Sequence, residues 1–292
     1  MTVDIKPDAP HRSGRPDEKL ARAKGAKSMK ARTRIPLTNG SNEAAEVMSR
    51  EIRSIRDPGK VLEILEAGCG QKWNHNRLDI GDGDYVLTGI DLDPEALRIR
   101  RDETKDLHEA IVGDLRTADL GQRTFDVIFN SFVLEHVPGA QQVLENFTRW
   151  AKPGGLIIIM IPDPYSAYGF TSRMTPHWFH VLFYRLVLGW KNAGKPGFGP
   201  YKVIYDRVVS REGIRAFCGE NGLILAAEYG MPSSHGLSDN SPKQKLVEVY
   251  KKALQVLSFG RLRSDYNDII FIIRKPALAA GVDLPVSDAL HA

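Results

Sequence analysis

Three carboxylates and a glycine pair are spaced so that one ligand could meet them all. Val61 to Gly70 reads V-L-E-I-L-E-A-G-C-G, an apolar run that breaks into Gly68 and Gly70. Such a run reads as a buried strand ending in a tight turn. With no Cβ at either glycine, the turn can take positive φ and present bare backbone N–H groups to a bound molecule. Glu66 puts a carboxylate beside that turn. Tyr85 to Ile90 is the next apolar run and ends on Asp91. An acid at this tip, about 20 residues past the turn, is where a dinucleotide-type α/β fold accepts hydrogen bonds from ribose hydroxyls. Glu109 to Val112 then leads into Gly113-Asp114-Leu115, and Phe125 to Phe129 into Asn130-Ser131. Four strand tips therefore carry polar groups. A glycine pair alone is equally a plain strand-ending turn, and it is the acids that follow that favour a ligand.

Proton transfer has three candidates. Asn130 to Pro138, N-S-F-V-L-E-H-V-P, is an apolar loop in which Glu135 and His136 are the polar side chains. An imidazole titrating near neutrality makes His136 a possible base toward a hydroxyl or amine; bonding the loop backbone or a cofactor is the alternative. His177 and His180, three apart on one helical face, read as acid/base groups or a metal pair. No third ligand stands at a suitable spacing, so no metal is expected.

The elements that must position these groups follow from periodicity. Asn42 to Arg56 reads as a helix, closed by Asp57-Pro58-Gly59. Asp93-Pro94-Glu95 is a helix start with Asp93 as the N-cap and Pro94 in the first turn. Val143, Leu144, Phe147 and Trp150 form a helical core stripe, and Pro153-Gly154 reads as a type II turn before a fifth strand, Leu156 to Ile161. Ser210 caps a helix through Cys218, Leu223 to Glu228 is a sixth strand, Lys243 to Phe259 an amphipathic helix, and Asp268 to Arg274 a seventh strand.

The composition, 42% hydrophobic and 26% charged, is that of an ordinary globular chain. No apolar run is long enough to span a bilayer and no secretory core is seen at the N-terminus, so a cytoplasmic location is expected. Two distant cysteines, Cys69 and Cys218, read as free thiols. The net charge of +4 is unevenly placed: residues 1–34 hold ten Lys/Arg against four Asp/Glu. That segment reads as a disordered basic tail, 35–276 as the catalytic domain and 277–292 as a loose tail.

Taken together, Glu66-Ala67-Gly68-Cys69-Gly70, Gly89 to Pro94, Gly113-Asp114-Leu115, Phe125 to Pro138 and Lys152-Pro153-Gly154-Gly155 resemble the class I S-adenosylmethionine-dependent methyltransferases. The likeness covers about residues 60 to 165. It implies an α/β fold: a seven-stranded, mostly parallel Rossmann-like sheet with helices on both faces and strand seven antiparallel. It further implies S-adenosyl-L-methionine as cofactor, held by Glu66, Gly68, Gly70, Asp91, Leu92, Asp114, Leu115 and Asn130. In that resemblance Asp114 accepts from the exocyclic amine of adenine and the Leu115 N–H meets a ring nitrogen. A turn aspartate is the alternative for Asp114.

Two stretches depart from the family pattern. After Gly70 the usual third glycine and its helix give way to Gln71-Lys72-Trp73-Asn74-His75-Asn76, where Trp73 and His75 could line the cofactor's methionine end or pack. Ser166 to Val209 is an insertion after strand five that reads as a substrate lid, with an apolar and aromatic stretch from Thr175 to Trp190. That stretch suits an apolar or ring-bearing acceptor, a peripheral membrane contact or a second subunit. The expected function is methyl transfer to a small-molecule oxygen in secondary-metabolite, glycan or lipid-linked biosynthesis. An RNA methyltransferase using the basic tail and a non-catalytic cofactor-binding scaffold are the alternatives, the slight acidity of the body weighing against nucleic acid.

Overall fold

The computed structural model describes residues 34–73, 78–80, 85–186, 188–195, 198–232 and 241–277. His75 lies outside the described residues, as do residues 1–33 of the tail read as 1–34 and residues 278–292 of the tail read as 277–292. Seven strands form one sheet: β1 (Leu62–Ala67), β2 (Tyr85–Asp91), β3 (Glu109–Val112), β4 (Phe125–Ser131), β5 (Ala151–Pro162), β6 (Ile224–Met231) and β7 (Asp268–Arg274). Their order is β3-β2-β1-β4-β5-β7-β6. The first five run parallel, and β7 lies antiparallel to both β5 and β6. This is the seven-stranded, mostly parallel Rossmann-like sheet with strand seven antiparallel that the resemblance implied.

Alternation along the strands explains the two-sided burial. In β5, Ile157, Ile159 and Ile161 enter one core with Leu65, Ile90, Ile128 and Phe271, while Leu156, Ile158 and Met160 enter the other with Ile64, Leu87, Phe129 and Ile272. A strand buried on both faces reads as a continuous apolar run, as β5 and β7 do. The first core is covered by α3 (Ala140–Trp150) through Val143, Leu144, Phe147 and Trp150, and by α6 (Arg211–Glu220) through Ile214 and Phe217. The second is covered by α1 (Ser41–Ser54) through Val47, Met48 and Ile52.

The remaining helices are α2 (Pro94–Arg98), α4 (Ala167–Met174), α5 (His177–Leu186) and α7 (Pro242–Leu257). Asp93 caps α2 by accepting from the Glu95 N–H at 2.9 Å, and Ser210 caps α6 through the Gly213 N–H at 3.0 Å. Between β1 and β2 no helix is found among the described residues, which agrees with the glycine-crowded sequence there. Pro153-Gly154 lies within the β5 run rather than before it, and Gly154 donates to the Lys275 carbonyl at 2.9 Å.

At the sheet's β6 edge, residues 36–38 pair with Gly230. The N–H of Thr38 donates to the Gly230 carbonyl at 3.0 Å and that of Gly230 to the Pro36 carbonyl at 2.9 Å. A Cβ on Gly230 would stand 2.8 Å from both Leu37 and Tyr266, so only glycine lets the segments approach so closely.

Candidate active site

The parallel strands end on one side, and a cleft of about 950 Å³ opens there. Its floor comes from four adjacent tips: Gly68 to Lys72 after β1, Asp91 to Asp93 after β2, Gly113 to Arg116 after β3, and Ser131 to Val133 with His136 to Pro138 after β4. Its roof comes from the insertion, as Trp190 to Ala193, Phe198, Gly199, Tyr201 and Lys202. Binding outside the carboxyl ends of the strands is general to open α/β sheets.

The turn after β1 is built as its glycines require. Gly68 sits at φ 75° and Gly70 at φ 55°, where other residues are strained. The Gly68 N–H donates to the Ile90 carbonyl at 2.8 Å. A Cβ at Gly68 would fall 2.5 Å from Val133, so this glycine also lets the β4 loop close over the turn. Beside Gly70 nothing stands within 4 Å of such a position, which leaves its backbone open toward the cleft.

Asp91 joins two of these loops. One carboxylate oxygen accepts from the Gly70 N–H at 2.8 Å and the other from the Asp93 N–H at 2.9 Å. A carboxylate has about four acceptor positions, so both oxygens keep capacity for hydroxyl donors in the cleft. Leu92 is exposed beside it, and Leu115 is buried at the cleft wall. Asp114 lines the cleft, but the Arg116 guanidinium grips it at 2.5 to 3.1 Å and holds its carboxyl below the usual range. Arg116 also donates to the Pro138 carbonyl at 3.4 Å, tying the β3 tip to the β4 loop. The sequence reading missed this residue; its only signal was a cation two positions after a turn aspartate. Phe132, at φ 57°, was missed as well. Left-handed backbone in a non-glycine residue clusters at ligand sites, and Phe132 lines the cleft.

Four expected site residues are placed elsewhere. Glu66 does not line the cleft. It turns beneath the glycine turn, 4% exposed, and accepts from the fully buried Arg100 at 2.9 Å. Arg100 also donates to the Cys69 carbonyl at 2.9 Å and to Asp106 at 2.7 Å. Burial pushes the Glu66 carboxyl upward against the pull of this guanidinium. The three carboxylates thus do not converge: Asp91 and Asp114 face the cleft, while Glu66 supports the turn from below. Asn130 is likewise buried, its amide donating to the Ala67 carbonyl at 2.9 Å, which fastens β4 to β1. His177 and His180 also stay out of the lining. Their rings stack at 6.5 Å, and His180 Nε2 lies 2.7 Å from the Thr175 hydroxyl, so the pair organises the start of α5. Trp73 packs edge-on against Phe129 at 6.0 Å.

His136 does line the cleft. Its Nδ1 stands 2.9 Å from the Lys202 carbonyl; a carbonyl can only accept, so Nδ1 carries the proton and Nε2 is left as an acceptor. Burial lowers its pKa, more than the Lys202 carbonyl raises it. The imidazole is therefore neutral and able to take a proton at physiological pH. Cys69 is no nucleophile, since burial, with Glu66 and Asp91 nearby, pushes its thiol up to about 12. Among the described residues, no group of three His, Cys, Asp or Glu could hold a metal ion.

Beneath His136 lies a buried acid. Burial pushes Glu135 up to about 8, with Asp268 adding to the rise, and pushes Asp268 up to about 7 against the pull of Lys251. The folded state holds protons here that the unfolded chain releases, so this stability is full below the ordinary carboxyl range and is lost as pH rises through about 7 to 8. The melting temperature should fall across this window. In Glu135→Gln the fall should be shallower; an identical profile in the variant would remove Glu135 from the account.

Comparison with known proteins places this geometry. Residues 65–159 match the family described as "Methyltransferase domain". Phosphoethanolamine N-methyltransferase 1 of Triticum aestivum is 30% identical over 33% of this chain and 20% of its own length. Malonyl-[acyl-carrier protein] O-methyltransferase of Erwinia pyrifoliae is 28% identical over 35% of this chain and 37% of its own. The chain spans between a fifth and about half of the length of the curated relatives it matches. Among solved structures, a putative sarcosine dimethylglycine methyltransferase from Galdieria sulphuraria superposes with a TM-score of 0.50 at 15% identity, over 80% of this chain and 85% of that one.

Proposed function

We propose that this chain, whose residues 65–159 match a methyltransferase domain, transfers a methyl group from S-adenosylmethionine to a small-molecule acceptor, most suitably at an oxygen. The observation that carries the reading is Asp91, whose carboxylate bridges the Gly70 and Asp93 N–H groups at the floor of an open cleft. Those residues suit the cofactor. Asp91 would accept from the ribose hydroxyls, the open space beside Gly70, where no Cβ stands, would take the methionine end, and Asp114, Leu115 and Arg116 would flank the base. When bound, S-adenosylmethionine supplies an electrophilic methyl group on a positively charged sulfur. The protein's task is to align an acceptor with it and exclude water.

An oxygen acceptor is favoured by His136, a neutral imidazole with Nε2 available as acceptor at the cleft wall, since a hydroxyl must lose its proton as the methyl arrives. The relatives' names place the methyl group on nitrogen in one case and on oxygen in the other, so family membership leaves the atom open. The roof adds Lys191 and Lys202 and no acid, which suits an acceptor bearing negative charge, as phosphate-linked glycan and lipid intermediates do.

The test is formation of S-adenosylhomocysteine from S-adenosylmethionine with fractionated small-molecule extracts as the acceptor pool. Turnover is expected. His136→Ala should lower kcat about a hundredfold, within the usual range for loss of a general base, and leave cofactor affinity unchanged. No product in any fraction, with cofactor still bound, would leave the chain a scaffold. Full activity in His136→Ala would assign the imidazole to holding the Lys202 loop.

A further inference from the structure

The first part of the insertion faces away from the cleft. α5 has no buried residue. At 100° per residue, Trp178, Phe179, Leu182 and Leu186 fall on one side of it. They are 66%, 42%, 45% and 71% exposed, and Met174 just before α5 is 67% exposed. The opposite side anchors the helix: Tyr184 is half-buried, bonds the Tyr168 hydroxyl at 3.0 Å and meets Trp190 edge-on at 5.1 Å. An anchored helix with a bare apolar outer face leaves a contiguous patch in water, which marks an interaction surface.

Charge narrows the partner. From Pro164 to Tyr205 the chain has five Lys/Arg (Arg173, Arg185, Lys191, Lys195, Lys202), no Asp or Glu, and 11 aromatic residues. We propose that the outer face of α5 docks on a bilayer surface that carries anionic lipid. Its apolar residues enter the headgroup boundary while Arg185, beside Trp178 and Leu182 around the helix, and Arg173, next to Met174, meet lipid phosphates, the arrangement of an interfacial helix. Ten residues are too few to cross a membrane, and no described helix is long and apolar enough to do so. A second copy of this chain is a poor occupant, because two such faces would oppose Arg173 and Arg185 of each copy with no acid on either helix to offset them. Nucleic acid is poorer, since a phosphate backbone offers nothing to Leu182, Leu186 and Met174.

The docking goes beyond the transfer reading and needs no acceptor to be observed. The test is sedimentation of the full chain with vesicles of phosphatidylcholine alone or mixed with phosphatidylglycerol. Binding to the mixed vesicles is expected, weakening steeply with salt. Trp178→Ser combined with Leu182→Ser, and independently Leu186→Glu, should each lower it at least tenfold with cofactor affinity unchanged. Three results would overturn the proposal: no sedimentation at low salt, sedimentation that neither variant weakens, or a dimer in solution that both variants dissociate.

Discussion

Alanine at Asp91 is expected to lower affinity for S-adenosylmethionine by about two orders of magnitude or more. Each hydrogen bond to a charged group contributes roughly 1.5–3 kcal/mol, and a factor of ten in affinity is about 1.4 kcal/mol. Two ribose hydroxyls on this carboxylate would therefore account for the loss. The substitution also frees the Gly70 and Asp93 N–H groups that Asp91 now holds at 2.8 and 2.9 Å, so the glycine turn and the start of α2 lose their link. Asn at this position keeps one carbonyl acceptor and should fall between wild type and alanine. Calorimetric titration of the three proteins decides the matter: equal affinities would mean that the nucleoside is held by something other than this acid.

A second large effect is expected on stability. Arg100 is fully buried at the end of the α2 segment, where the helix widens into a π-type turn over Ile99–Thr104. Removing one member of a buried ion pair costs about 3–5 kcal/mol because the other is left uncompensated. Arg100→Ala strands Glu66 and the Cys69 carbonyl together and opens a space beside Trp73. Against a typical stability of about 5–15 kcal/mol, much of the folded population is at risk. Arg100→Met with Glu66→Gln fills the space and removes the charge, so it should recover a large share of the loss. Urea unfolding reads both. A double variant no better than Arg100→Ala would show that Asp106 and the Cys69 carbonyl, not Glu66, are what the guanidinium serves.

That pair also marks where the sequence stops being legible. A carboxylate at a strand end looks the same whether it faces a ligand or a buried arginine. Its partner lies 34 residues on, in a helix extension that no apolar period places. Asn130 misled for the same reason: its amide reaches a neighbouring strand, and pairing across a sheet is invisible along the chain. What could be read was local. Seven apolar runs, the glycine turn and the Asp93 and Ser210 caps all depend on neighbours within a few positions. The insertion lies between these cases. A cover over the strand tips is expected from its place after β5, but the roof comes from Trp190 to Ala193 and from Phe198, Gly199, Tyr201 and Lys202, not from the aromatic helix before them. Apolar content says that a helix face wants cover; it does not say whether the cover is protein.

The place of β7 has a consequence for how the molecule is made. Because this last strand lies between β5 and β6, a nascent chain leaving the ribosome cannot pair either neighbour until residues near Arg274 have emerged. Until then the unzipped flank of β5, six apolar residues from Leu156 to Ile161, is a template for any other extended polypeptide. Termination before Asp268, which removes β7, would yield an insoluble product rather than a weakened one.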